Sequence, residues 1–178
     1  MIEKDDPIVS RNVLEMITVA HEYCTFIEKA SDYKTEDILD YLQKICPLIY
    51  LKGSLLPEVE VEFPEANERF VVEEDWEKIF TTLREKFQSI DEYWFHDYNS
   101  VDMNDPIKGS LADNFADIYQ DLKDFTLLYQ KSSHAAKENA VHEIKALFTT
   151  HWGFLIVSAH RYIHYIQMAK QNKANDTE

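Results

Sequence analysis

The chain has 178 residues, with 18 Lys and Arg against 33 Asp and Glu, a formal net charge of -15 at pH 7, 45% hydrophobic residues and 13% aromatic ones. That size predicts one domain, 1–178, with a sizeable core, and the aromatic content excludes global disorder. The acid surplus excludes nucleic acid and an anionic membrane surface as partners, because both need clustered Lys and Arg; it leaves a basic partner, a cation or plain solubility.

The elements follow in chain order. The opening MIEKDDP is charged and has no apolar core, so no signal peptide is expected. Val9, Val13, Ile17, Ala20, Cys24 and Ile27 recur at helical spacing and predict a helix from Ser10 to Ala30. Thr35 is expected to cap a second helix that starts after it, with Glu36 and Asp37 in the first turn, where the dipole favours acids. Its stripe is Ile38, Leu42, Ile45 and Ile49, with a kink or break expected at Pro47 and an end at Gly53. In 53–72, Val59, Val61 and Phe63 alternate with Glu58, Glu60 and Glu62 between Pro57 and Pro64, which predicts an extended arm or an edge strand.

A third helix is expected over Glu73–Ile90, with Trp76, Ile79, Phe80, Leu83 and Phe87 on one face. Residues 91–109 then read as a long acidic and aromatic loop, a length often tied to function. Ser110 and Asp113 form a capping box for a helix over Leu111–Lys131. Its apolar face is Leu111, Phe115, Ile118, Leu122, Phe125 and Tyr129; Asp113, Asp117, Asp121 and Asp124 are expected on the opposite, solvated face. One long last helix is predicted from His134 to Lys170, followed by a frayed tail over 171–178. Between Gly153 and Ile166 it is apolar nearly all round, so a cover on more than one side is expected. That stretch holds Arg161 and two histidines and is too short and polar to span a bilayer. The sum is an all-α antiparallel bundle of about five helices with two long connecting loops.

Three passages resemble a known family: TVAHEYCTFIEKA at 18–30, PLIYLKGSLLPEVE at 47–60 and SLADNFADIYQDLKDFTLLYQ at 110–130. They are similar to the bacterial domain of unknown function 5063, and ENAVHEIKALFTTHWGFLIVSAHRYIH fits its closing helix. The resemblance implies a bacterial, all-helical protein and carries over no catalytic residue.

Few motifs point to chemistry. Gly53, Gly109 and Gly153 are the only glycines and lie far apart, so neither a phosphate-cradling loop nor a nucleophile elbow can be written. Cys24 and Cys46 fall on apolar helical faces, which fits reduced thiols in the cytoplasm. His160 and His164 are four apart and share a helix face, a pair able to grip a divalent metal if another element supplies a third ligand, such as His21, His96 or a carboxylate. His142 stands about 27 Å from His160 at 1.5 Å per residue and cannot join them. Tyr93, Trp94, Phe95 and Tyr98, interleaved with acids, form the candidate binding surface. His151 is expected in the core, hydrogen-bonded to a carbonyl or a Tyr; a general base there would need a cleft and a carboxylate.

The reading that follows is a cytoplasmic helical module for protein interaction or regulation, with no catalytic motif and no cofactor. Its contacts are expected on the 53–72 arm and the 91–109 loop, with a homodimer through 153–166 as a further expectation. The alternative is a metal-dependent helical-bundle enzyme using His160 and His164.

Overall fold

The computed structural model describes residues 6–96 and 105–175. Among them are six α-helices and one two-stranded sheet. The helices are α1 (Arg11–Glu28), α2 (Thr35–Ser54), α3 (Glu73–Phe87), α4 (Leu111–Tyr129), α5 (His134–Thr150) and α6 (Trp152–Asn175). Strands β1 (Glu92–Phe95) and β2 (Ile107–Ser110) lie between α3 and α4.

The centre of the bundle is α4, which packs against α1, α3, α5 and α6. Fourteen of its 19 residues are buried, far more than one apolar stripe supplies. Its start is doubly capped. Ser110 Oγ accepts from the Asp113 amide at 3.1 Å, and the buried Asp91 accepts from the Ala112 amide at 2.8 Å and from the Ser110 hydroxyl at 2.9 Å. A carboxylate at a helix N-terminus meets both the dipole and the free amides there. The other long pairing is α2 against α6, and α2 also packs on α1. One continuous core joins Met16, Tyr23, Leu39, Phe87, Phe115 and Trp152.

The all-α bundle stands as expected, with four differences of physical origin. First, α2 runs unbroken through Pro47. Second, the single long helix predicted over His134–Lys170 is two helices, broken at His151, whose φ of -138° and ψ of -89° are not helical. Gly153 makes the bend feasible: a Cβ there would stand 2.3 Å from the Phe148 carbonyl oxygen. The bend also seats Trp152, fully buried, over Gly53, where a Cβ would meet its ring at 2.2 Å. The second of the two helices continues to Asn175.

Third, the 91–109 loop is partly a ribbon. Antiparallel pairing sets Tyr93 opposite Gly109 and Phe95 opposite Ile107. Fourth, the 53–72 arm is extended but pairs with no strand among the described residues. Helix side chains take its hydrogen bonds instead. His142 Nδ1 donates to the Val59 carbonyl at 2.9 Å, Asn139 to the Phe63 carbonyl at 2.9 Å, and the amides of Phe70 and Val71 donate to Asp124 Oδ1 at 2.8 and 2.9 Å.

Candidate functional site

The arm and α3 cover the α4 face that the pattern assigns to solvent. Asp121 and Asp124 are therefore buried, and the expectation of a solvated aspartate stripe is corrected at these two positions. Asp117, Asp121 and Asp124 have each found a partner, while Asp113 stays exposed. Trp76 Nε1 donates to Asp117 Oδ1 at 2.8 Å. Arg69, from the arm, lies 3.7 Å from both Asp121 and Asp124 and donates to Glu143 at 2.8 Å. The Asp124 carboxyl is pushed up by burial, opposed by the two arm amides it accepts.

His151, at the break between α5 and α6, sits at this seam. Its Nδ1 is 2.7 Å from Asp121 Oδ2 and its Nε2 is 3.6 Å from Asp117 Oδ2. Carboxylates face both ring nitrogens, so both carry protons, and Asp117 and Asp121 hold the imidazole pKa up at about 10. The carboxylate partners absent from the sequence pattern are thus present. They make His151 a fixed cation at neutral pH, with no lone pair to act as a base.

One edge of this seam opens into a cleft of about 410 Å³ between β1, α4 and α6. Phe95, Phe154 and Val157 supply apolar walls, and Asn114, His151 and Arg161 supply polar ones. Phe154 and Val157 are 56% and 54% exposed, large values for apolar side chains on a helix. The volume falls in the range of ordinary ligand pockets, roughly 300–1,000 Å³.

The family model described as "Domain of unknown function (DUF5063)" matches residues 7–169. The chain belongs to that family. A crystal structure of protein BF1032 from Bacteroides fragilis is similar to it at a TM-score of 0.80 and 32% identity, covering 90% of this chain and 94% of that one. No curated protein matches this DUF5063 chain.

The sequence-predicted aromatic surface is divided in this DUF5063 domain. Tyr93 is buried, stacked on Tyr162 at 5.1 Å between ring centroids, and its hydroxyl accepts from Asn114 at 2.6 Å. Trp94 points the other way and is 66% exposed. Phe95 lines the cleft, and Tyr98 lies outside the described residues. Period-two alternation along β1 accounts for the division.

His160 and His164 both meet Gln43 of α2. His160 Nε2 is 3.1 Å from the Gln43 carbonyl, and His164 Nδ1 is 3.4 Å from its side-chain nitrogen. A carbonyl only accepts, so His160 Nε2 carries the proton. Pro47 has no amide hydrogen to offer the carbonyl four residues back, which is that of Gln43. His160 therefore fills a vacancy that Pro47 creates. Of the suggested third ligands, His21 lines a groove beside α1 and His96 lines the cleft. Among the described residues no group of three His, Cys, Asp or Glu is placed to hold a metal ion.

Both thiols are buried and unpaired by disulfide. Burial raises the pKa of Cys24 and pushes Cys46 up to about 12, so neither is a nucleophile at neutral pH. Among the described residues no helix is long and apolar enough to cross a membrane.

Sequence reasoning missed the cleft itself. Its signal was the run Phe154, Val157, Arg161 at spacings of three and four, hidden in a segment that reads as apolar all round.

Proposed function

We propose that this DUF5063 domain is a non-enzymatic module that recognises another protein through the cleft between β1 and α6. The carrying observation is the pair Phe154 and Val157, more than half exposed at the mouth of a formed cleft. Exposed apolar side chains gathered at a concavity cost solubility and are what a partner's anchor residues fill. The arm is left out of this reading, its backbone being tied to α4 and α5. Two buried free thiols support a reducing, cytoplasmic setting.

The test is a photo-crosslinking amino acid at Val157 in native cells, with one at Lys78 on the exposed side of α3 as control. A discrete heterologous adduct from position 157 alone supports the proposal. No adduct from position 157, or the same products from both positions, overturns it. An adduct at twice the chain's own mass reassigns the face to a second copy.

A further inference from the structure

The described lining of the cleft is basic, in a chain that is acidic as a whole. Asp and Glu number 33 in the sequence, yet among the described residues none that lines the cleft is acidic. The lining instead holds the Arg161 guanidinium, the imidazoles of His96 and His151, and the Asn114 amide. Among the described residues His151 is held by Asp117 and Asp121, while Arg161 enters no ion pair. Phe154, Val157, Ser158 and Arg161 stand at i, i+3, i+4 and i+7, so α6 presents two apolar side chains, then a hydroxyl and a guanidinium, along one face.

We infer that the cleft receives a partner segment that sets an apolar side chain beside a carboxylate. The apolar group packs between Phe95, Phe154 and Val157, and the carboxylate pairs with Arg161 next to the Ser158 hydroxyl. This rests on the protein-recognition reading above and adds the partner's chemistry. A guanidinium fork suits a carboxylate bidentately, and desolvation by the phenyl walls strengthens the pair. The net charge of -15 works against an acidic partner at long range. Screening within about 8 Å at physiological salt leaves the decision to the groups lining the cleft. A basic segment meets the reverse: attraction at a distance and repulsion by Arg161 on arrival.

The experiment is an NMR titration of the full chain at about 0.15 M salt, where screening is physiological. It uses three capped peptides sharing a central Leu-Phe pair, flanked by Glu, Gln or Lys. Decanoate is a fourth probe. The Glu peptide should bind about tenfold more tightly than the Gln peptide, as a charge-assisted bidentate pair allows. The Lys peptide should be weakest, and shifts should centre on Val157 and Arg161. Arg161→Gln should bring the Glu peptide to the level of the Gln peptide, and Val157→Asp should abolish binding of both. Both substituted side chains are exposed, so the fold should hold.

Equal binding of the Glu and Gln peptides, or tightest binding of the Lys peptide, overturns the inference and leaves the recognition surface standing. Failure of all three peptides also overturns it, and the crosslink at position 157 then judges the wider reading separately. Arg161-dependent binding of decanoate without any peptide binding assigns the cleft to a free organic acid, and both readings fall.

Discussion

His151 acquires its proton affinity only in the fold. Its pKa stands at about 10 against an ordinary 6.5, because the carboxylates of Asp117 and Asp121 face its two ring nitrogens. The folded chain therefore holds this proton more tightly than the unfolded chain does. The stabilisation is fully present below about pH 6.5 and is lost as the pH rises toward 10. The ring is 40% exposed, so water screens the pair and the expected contribution is about 1–2 kcal/mol. In urea unfolding, the native chain should lose that much stability between the two pH values relative to His151→Gln, and the two curves should converge at the alkaline end. A constant gap across the window would mean that the ring's charge contributes nothing. The sequence placed His151 on the inner stripe but gave it the wrong partners. Asp117 and Asp121 fall on the polar side of α4, and nothing in that helix's own period announces that α3 and the arm cover it.

Elements were legible where one helix's own pattern decides them. The start of α4 agrees with the Ser110 cap and α2 carries its first-turn acids, although Thr35 is the first helical residue and not the cap: its hydroxyl donates to the Lys86 carbonyl of α3. They were illegible where a distant contact decides. The break at His151 interrupts a continuous apolar period; its causes are Trp152 settling over Gly53 and His151 reaching Asp121, which lie on two other helices. Only Gly153 hinted at it. Pro47 is the converse case. A proline inside a helix should break it, yet α2 continues because His160, on α6, donates to the carbonyl that Pro47 leaves without a partner. Coupling of this kind is measurable as a double-mutant cycle. His160→Phe keeps a ring and removes the donor, and should cost about 1–2 kcal/mol in the native chain. In a Pro47→Ala background the restored amide can take the Gln43 carbonyl, and the same change should cost close to nothing. Equal costs in both backgrounds would reduce His160 to a packing residue.

At the scale of the molecule, charge and topology meet in the arm. Residues 55–72 carry five Glu and one Arg, and they lie across the helix that bears Asp113, Asp117, Asp121 and Asp124. Acid is laid on acid, and what holds it is specific: Arg69 among Asp121, Asp124 and Glu143, Lys131 on Glu68, and the Phe70 and Val71 amides on Asp124. Added salt screens exposed charges over its Debye length, about 30 Å at 0.01 M and 10 Å at 0.1 M, and acts little on buried amide hydrogen bonds. Repulsion between arm and bundle is the long-range part and the bonds to Asp124 are the short-range part, so salt should tighten the arm. Amide hydrogen exchange at Phe70 and Val71 should therefore slow as salt is raised from about 0.01 to 0.2 M, while α4 core amides such as Leu122 change far less. Asp124→Asn keeps one acceptor and removes a charge. It should weaken the salt dependence while exchange at the two amides stays measurable. If exchange at Phe70 and Val71 instead quickens with salt, the ion pairs of Arg69 and Lys131 outweigh the repulsion, and the arm is held by its few cations in spite of its many acids.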